Sequence, residues 1–153
     1  MDDIDRKILD HLQKNAAISI AELGELVGLS STPCWRRVRK LEEDGIIRKR
    51  VTLLDAKKLN LKTTVFVAVR TAQHNADWAS QFARIVSEFP EVVEFYRLAG
   101  QMDYLMKVVV PDIEAFDHFY QRLIEQIELH DVTSMFSMEE IKVTQQLPLT
   151  YAT

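Results

Sequence analysis

Several features that this sequence lacks exclude broad classes of protein. It has one cysteine, Cys34, so no disulfide can form within the chain. No apolar run approaches the roughly 18 residues that suggest a membrane-spanning helix. Met1 is followed directly by Asp2 and Asp3, whereas a secretory signal peptide begins with a basic stretch and then an apolar one. We therefore expect no membrane association and a cytoplasmic location.

Motifs for catalysis and metal binding are missing as well. The sequence contains no nucleophile elbow, no glycine-rich phosphate loop and no His/Cys spacing typical of a metal site. The four histidines fall in different predicted elements, at His11, His74, His118 and His130. An enzyme is therefore a disfavoured alternative. We expect neither a metal nor a cofactor.

The distribution of charge is more informative than its sum. The net charge of −4 argues against a polyanionic partner for the chain as a whole. Residues 35–50, however, carry seven Lys or Arg against three Asp or Glu. The positive charge is thus local, and it falls on one predicted element.

That element is a helix within residues 29–45. Pro33 is tolerated in a first helical turn, Ser30 or Ser31 can cap that turn, and Gly45 suits the left-handed residue that ends a helix. At the helical period one narrow face is small or apolar, formed by Cys34, Val38 and Leu41. The opposite side and its flanks carry Thr32, Trp35, Arg36, Arg37, Arg39 and Lys40. This pattern indicates a helix that docks on a small domain and shows a basic side to a polyanion.

The order of charges along this helix also points to DNA. The basic residues come first, and Glu42, Glu43 and Asp44 come last. The helix dipole favours the reverse order, by roughly 0.3–1 kcal/mol per charge, so helix stability does not explain it. DNA-reading helices use their N-terminal half for contacts, and this use explains why the basic residues come first. The alternative is an ordinary solvated charged face.

The elements around the basic helix predict a winged helix-turn-helix over residues 1–54. A first helix spans 3–14 with Asp3 as its cap, and Ser19-x-x-Glu22 is a capping box that opens a second helix. A short turn containing Gly28 then leads into the basic helix. Residues 46–54 are expected to form a small β-hairpin, the wing. A module whose helix-turn-helix packs only against protein is the other open alternative.

The second half changes to a β-strand period. Residues 55–63 read as a linker, and residues 64–153 as one domain. Strands are predicted at 64–71, 92–99, 104–110 and 131–141, with one helix ending at Pro90 and another opening at Pro111-Asp112. This β-α-β-β-α-β order is that of a ferredoxin-like domain, so the whole chain is α+β. The tail from Thr144 is expected to pair with a partner subunit or to fray.

Several motifs together resemble the Lrp/AsnC family, the feast/famine regulators. In the first half these are residues 4–9 (Ile-Asp-Arg-Lys-Ile-Leu), 27–34 (Val-Gly-Leu-Ser-Ser-Thr-Pro-Cys) and 36–42 (Arg-Arg-Val-Arg-Lys-Leu-Glu). In the second half they are Gly100-x-x-Asp103-Tyr104 and residues 138–142 (Met-Glu-Glu-Ile-Lys). The resemblance covers nearly the whole chain.

The resemblance implies a bacterial or archaeal transcription regulator associated with the nucleoid. Such a protein binds double-stranded DNA as a dimer and responds to an amino acid or a related metabolite. Its targets are expected among genes of amino-acid metabolism. The ferredoxin-like half would be a RAM domain that dimerises through its sheet, and we expect a homodimer that assembles to an octamer.

Two sets of functional residues are predicted, the first from position on the recognition helix and the wing, and the second from the resemblance. In the first turns of the recognition helix, base edges are expected to meet Ser31, Thr32, Trp35 and Arg36. Phosphates are expected to meet Arg37, Arg39, Lys40, Arg48, Lys49 and Arg50. An amino-acid effector is expected at Gly100, Gln101, Met102, Asp103 and Tyr104, with Thr133, Ser134 and Met135 facing them. The alternative for the loop is that Gly100 and Asp103 only build a β-turn.

Overall fold

The structure, a computed structural model, describes residues 1–72 and 75–152. Contacts between Cα atoms divide the chain into two units. One contains residues 1–53 together with the tail from residue 142, and the other contains residues 54–141. The tail, expected to belong to the second domain, packs with the first unit. No helix among the described residues has the length and apolar character needed to cross a membrane.

The first unit contains three helices at the predicted positions. They are α1 (Asp3–Lys14), α2 (Ile20–Val27) and α3 (Ser31–Glu43). The cap of α1 is Asp2 rather than Asp3, because Asp2 Oδ1 accepts from the Asp5 N–H at 2.8 Å and Asp5 Oδ2 accepts from the Asp2 N–H at 3.1 Å. A small shared core joins the helices, formed by Ile8, Leu9, Leu12, Leu23, Val27, Cys34, Val38 and Leu41.

Two glycines permit the turn between α2 and α3. Gly28 has φ +76°, a conformation that other residues adopt only with strain. Gly24 lies where the backbone of the turn approaches α2, and a Cβ atom there would stand 2.7 Å from the carbonyl oxygen of Leu29. The Leu29 N–H donates to the Gly24 carbonyl at 2.8 Å. Helix α3 therefore starts from a backbone contact that only glycine allows.

The end of α3 matches the prediction, but the wing does not. Gly45 is left-handed at φ +71°, and its N–H donates to the Glu42 carbonyl at 3.0 Å, which is the C′-to-C2 bond of a Schellman motif. Residues 46–54, expected to form a hairpin, contain no strand in the structure. Two adjacent isoleucines followed by three basic residues lack the two-residue alternation of a half-buried strand, and Ile47 packs on the helical core instead.

The second unit confirms the α+β ferredoxin-like pattern. Its elements are β1 (Thr63–Arg70), α4 (Ala76–Ser87), β2 (Val92–Arg97), β3 (Tyr104–Val110), α5 (Ile113–Gln126) and β4 (Asp131–Phe136). The antiparallel sheet has the order β2-β3-β1-β4. Strand β4 ends five residues earlier than predicted, and the expected linker contains a short 3₁₀ helix, Lys57–Leu59.

The two faces of this sheet have different surroundings. Val65, Val67 and Val69 are fully buried in the core that contains the residues of α4 and α5. The opposite face carries alternate residues that are half-buried or exposed, among them Phe66, Leu105, Val109 and Met135. We call these four residues and their neighbours on that side the open face.

The C-terminal tail lies against α1. The Gln13 side chain makes two hydrogen bonds with the backbone of Leu147: its Nε2 donates to the carbonyl at 3.2 Å, and its Oε1 accepts from the N–H at 2.9 Å. Arg6 donates to the carbonyl of Ala152 at 3.1 Å, and Leu149 is half-buried against the helical core. The tail is thus held within the first unit, although frayed or partner-bound residues were expected.

Candidate DNA-binding and effector sites

Helix α3 buries one face and exposes a basic one, as predicted. Cys34, Val38 and Leu41 lie in the core, and burial raises the pKa of the Cys34 thiol, so it packs as a neutral group. Trp35 is 51% exposed at the surface. Within the part of the chain that the structure describes, no carboxylate lies within 4 Å of the charged groups of Arg36 and Lys40. These cations are available to an external anion.

The other cations that flank this surface have loose partners or none. The Arg39 guanidinium lies 3.7 Å from Glu42 and 3.6 Å from Glu43, and it also stands 6.0 Å from the centre of the Trp35 ring. Arg50 pairs with Glu42 at 3.1 Å. Exposed pairs of this kind are worth about 0–1 kcal/mol, so phosphate can replace the carboxylate at little cost. Among the described residues, Arg48 and Lys49 have no carboxylate within 4 Å.

Arg37 is placed differently from its predicted position beside DNA phosphates. Its Nη1 donates to Asp2 Oδ2 and to Asp5 Oδ1, both at 2.7 Å. These two hydrogen bonds raise the pKa of Arg37, that from Asp5 having the larger effect. A groove of about 690 Å³ runs alongside this contact, between the start of α1 and the length of α3. Arg37 is thus held at the first helix, whereas Arg36 and Lys40 are not.

The loop from Gly100 to Asp103 is closed by Asp103. Asp103 Oδ2 accepts from the Thr71 N–H at 2.8 Å, its N–H donates to the Val69 carbonyl at 2.9 Å, and its carbonyl accepts from the Leu98 N–H at 2.7 Å. Gly100 has φ +148°, which favours glycine. Asp103 therefore has the structural role that the β-turn alternative predicts. Its second carboxylate oxygen, Oδ1, makes no hydrogen bond to any described residue.

A cavity of about 210 Å³ lies beside this carboxylate. Arg97 contributes a positive charge to its wall, and within the described residues no carboxylate lies within 4 Å of that guanidinium. Asn75 caps α4 here by accepting from the Trp78 N–H at 2.8 Å. The cavity thus offers one carboxylate and one guanidinium, and its lining consists of Thr71, Asn75, Ala76, Ala79, Arg97, Asp103 and Tyr104.

The predicted effector residues are not all brought together within one chain. Tyr104 is 7% exposed and belongs to an aromatic cluster with Trp78, Phe82 and Phe95. Gln101 is exposed and Met102 half-buried in the loop. On β4, Ser134 shares the helix side of the sheet, whereas Thr133 and Met135 lie on the open face. Since β1 separates β3 from β4, the β4 positions lie roughly 10 Å across the sheet from the start of β3.

Three polar residues of the cavity lining, Thr71, Asn75 and Arg97, were not predicted from the sequence. Only Arg97 carried a usable signal. On β2, Phe95 and Arg97 occupy the side of the sheet that packs against the helices. A charge in phase with buried positions is unusual in a strand and indicates a polar function. Thr71 and Asn75 carried no comparable signal because their role depends on where β1 ends.

Potential metal ligands give no site in the described residues, where no group of three or more His, Cys, Asp or Glu could hold an ion. His74 lies outside the described residues. What the structure does contain is a helix-turn-helix with an exposed basic helix, followed in the same chain by a ferredoxin-like domain with a charged cavity. That combination defines a two-domain DNA-binding regulator.

Comparison with known proteins gives the family. The family model described as a winged helix-turn-helix DNA-binding domain matches residues 1–48, and the model of the Lrp/AsnC ligand-binding domain matches residues 64–147. The chain is 53% identical to the glutamate uptake regulatory protein of Zymomonas mobilis, over 97% of this chain and 91% of that protein. It is 47% identical to the DNA-binding transcriptional activator DecR of Escherichia coli, over 97% and 99%. The chain belongs to the Lrp/AsnC family of transcriptional regulators.

Solved structures agree with this assignment. An AsnC family transcriptional regulator from Agrobacterium tumefaciens superposes with a TM-score of 0.98 at 58% identity, covering 100% of both chains. A transcriptional regulator from Neisseria meningitidis, solved as a complex with L-Met, gives a TM-score of 0.93 at 38% identity, covering 98% of this chain and 97% of that one.

Proposed function

We propose that this regulator binds operator DNA as a homodimer at the nucleoid and controls genes of amino-acid metabolism in response to an L-amino acid. The observation that carries the DNA half is the exposed basic side of α3, with Arg36 and Lys40 free of carboxylate partners in the described structure. Family membership supports the regulatory role. The opposite charges of Asp103 and Arg97, which both line the second-unit cavity, support the effector half.

On this proposal the base edges meet Ser31, Thr32, Trp35 and Arg36, which occupy the first turns of α3. Arg39 and Lys40, with the basic segment from Arg48 to Arg50, neutralise phosphates. Arg37 is left out of this set because two carboxylates already hold it. Two recognition helices in a dimer imply an inverted-repeat operator whose half-sites are whole helical turns apart, roughly 34 Å each.

Gel-shift titrations of full-length protein with its own promoter region test this surface. Arg36→Ala should relax specificity and cost about 1–3 kcal/mol if Arg36 pairs with guanine. Lys49→Ala should weaken all sequences alike and make the salt dependence shallower by about one unit. Lys57→Ala, in the 3₁₀ helix outside this surface, is the control. Unchanged binding by all three variants would favour a helix-turn-helix that packs only against protein.

Dimerisation is proposed through the open face of the sheet. Apolar residues of three strands share this face, including Phe66, Leu105 and Met135, and Met135 is 46% exposed. Removing such a surface from water contributes about 25 cal/mol per Å², which favours a second copy of the same face. Four such dimers would make the octamer that the family resemblance implies.

Light scattering of Leu105→Glu tests the interface. The charge should split the dimer, because it would be buried there without a partner. Ile113→Glu is the control, since Ile113 is 68% exposed on α5 and should leave the dimer intact. A wild-type monomer at micromolar concentration would refute the assembly.

The effector is proposed to be a free L-amino acid bound beside Asp103. Oδ1 of Asp103 can accept from the α-ammonium group, and the guanidinium of Arg97 can hold the α-carboxylate in a charge-assisted pair. A cavity of about 210 Å³ suits a molecule of that size. The L-Met complex of the Neisseria relative shows an amino acid bound to a protein of the same fold.

A thermal-shift screen of the twenty amino acids tests the effector site. Each hit is repeated with its N-acetyl and methyl-ester forms, which lack one charge each and should give no shift. Asp103→Asn keeps an oxygen for the Thr71 N–H but loses the charge, so it should fold, bind DNA and lose the response. Arg97→Gln should also lose it, whereas Arg84→Gln on α4 should keep it. Unchanged shifts in Asp103→Asn would make Asp103 a turn residue only.

A further inference from the structure

The basic residues of α3 fall into two groups. The side chain of Arg39 is 53% exposed, whereas that of Arg37 is 34% exposed. Arg37 donates to two carboxylates at 2.7 Å each. These carboxylates are themselves fixed, because Asp2 and Asp5 form the capping box at the start of α1. Arg37 therefore joins the recognition helix to the capping box at the start of the first helix.

Contact with a phosphate would require Arg37 to leave both acids. Asp2 and Asp5 would then stand without their cation close to a strand of negative charge. Charge-assisted hydrogen bonds are roughly twice as strong as neutral ones, and here two are made by one guanidinium. A phosphate contact with Arg37 is therefore less favourable than one with Arg36 or Lys40, because those two residues lose no carboxylate partner among the described residues.

Helix α3 needs a polar contact of this kind because its apolar seam is narrow. Three side chains on one line, Cys34, Val38 and Leu41, form its buried face. The N-cap Ser30 makes no side-chain hydrogen bond to the helix. The groove beside α1 leaves space into which α3 could roll. The pair of bonds from Arg37, one turn before Leu41, opposes that rotation.

We propose that Arg37 is a positioning residue for DNA recognition, a role that rests on the proposed DNA-binding surface. It clamps α3 to Asp2 and Asp5, sets the rotation at which the basic side of α3 meets the operator, and makes no phosphate contact itself. The clamp acts on specific binding, because the base-edge contacts that read the sequence depend on the rotation of the helix.

Removing the charges of Asp2 and Asp5 distinguishes this role from phosphate binding, because the two roles predict opposite changes in operator affinity. Asp2→Asn with Asp5→Asn should weaken operator binding about tenfold against a matched control, Asp3→Asn with Asp10→Asn, which removes the same charge from the same helix. Binding to non-operator DNA should equal that of the control. If Arg37 served phosphates, freeing it would instead tighten binding and steepen the salt dependence, and the proposal would be overturned.

Replacing Arg37 gives the second measurement. Arg37→Met should weaken operator binding with the salt slope of the wild type, whereas Lys40→Met should lose about 0.9 of a unit of slope. On the Asp2→Asn/Asp5→Asn background, Arg37→Met should add nothing. Arg37→Lys, which keeps the charge without the planar fork, should fall between wild type and Arg37→Met, and it replaces that variant if the latter does not fold.

Two results for folded protein contradict the clamp. A slope lowered by one unit in Arg37→Met makes Arg37 a phosphate contact. Wild-type operator affinity in that variant makes Arg37 a stabilising residue without influence on recognition. Failure of the wild type to bind any promoter DNA would instead be a failure of the proposed function, so the two are separable.

Discussion

The two units of this chain are stabilised in different ways. The second has a core of sixteen buried residues between a four-stranded sheet and two helices, and the first has eight. A small core covers less of the conformational entropy lost on folding, so individual polar contacts and backbone geometry matter more. In the first unit those contacts are the Asp2–Asp5 capping box, the Arg37 clamp, the Gly24 turn and the tail. The unit that must meet DNA in a fixed orientation is thus the one held by specific polar contacts.

Aromatic packing is the clearest part of the difference. In the second unit, Phe82 meets Tyr104 edge to face at 5.1 Å between ring centres, and Phe89 meets Phe119 at 5.2 Å. Such pairs contribute about 0.5–1.5 kcal/mol beyond the area they bury. Among the residues that the structure describes, the buried core of the first unit contains no aromatic side chain.

The largest expected effect on unfolding free energy comes from truncating a buried side chain in either core. Phe119→Ala should cost about 3–5 kcal/mol and Ile8→Ala about 2–5 kcal/mol of unfolding free energy. Each unit contains one tryptophan, Trp35 in the first and Trp78 in the second. In urea titrations, the Trp78→Phe background therefore reports the first unit alone through Trp35. The Trp35→Phe background reports the second unit alone through Trp78. Ile8→Ala should lower the midpoint reported by Trp35 and leave that of Trp78, and a common shift would show that the units unfold together.

The second effect concerns Gly24. Alanine in a helix is usually more stable than glycine by about 1 kcal/mol. Here the sign should reverse, because the new Cβ would stand 2.7 Å from the Leu29 carbonyl oxygen, a backbone atom. We expect Gly24→Ala to cost about 1–3 kcal/mol in the first unit. Ala17→Gly, at an exposed position in the turn before α2, is a control that introduces the opposite change. A stabilised Gly24→Ala would disprove the close contact.

The features that were predicted from the sequence are those set by local pattern. The features that were not predicted depend on long-range contacts. Local periodicity and capping signals were sufficient to find α1 to α5 and the β-α-β-β-α-β order, but not the 3₁₀ helix Lys57–Leu59. The short β4, the missing hairpin at 46–54 and the position of the tail depend on contacts formed only in the folded chain. Arg37 belongs to this second group, because its partners lie 35 and 32 residues away.

The candidate effector site divides in the same way. Gly100 and Asp103 were expected at this site because the resemblance rests on a short local loop motif. Arg97 and Thr71 join Asp103 only when β1, β2 and β3 pair in register. The division of the β4 positions between the two faces of the sheet follows from the register of Ser134 opposite Val67. A pocket formed by residues from separate strands cannot be read from spacing.

A smaller effect concerns the tail, which the first unit uses in place of a larger core. Gln13→Ala removes both hydrogen bonds to Leu147 and should cost about 1–2 kcal/mol. Hydrogen exchange of the Leu147 amide should become about tenfold faster, since that amide donates to Gln13 Oε1. Gln145→Ala, an exposed tail residue, is the control. Slow exchange at Leu147 in Gln13→Ala would mean that another group holds the tail.

The smallest effect is the pH dependence that Asp2 gives to the first unit. The N–H of Asp5, and next the Arg37 guanidinium, lower the pKa of Asp2 from its ordinary value of 3.8. A carboxylate with a lowered pKa in the folded state stabilises the fold above its unfolded pKa, and this contribution disappears as the pH falls through the folded value. Asp2→Asn keeps an oxygen for the cap and removes only the charge. Its melting temperature should therefore lie below that of the wild type at pH 6, and the gap should close as the pH falls below 3.8.

The control is Asp10→Asn: Lys14 lowers the pKa of Asp10 in the same direction without involving α3. Both variants should therefore show a closing gap, but only Asp2→Asn should also alter operator binding at pH 6. A gap for Asp2→Asn that stays constant with pH would mean that the aspartate contributes through its shape and not through its charge.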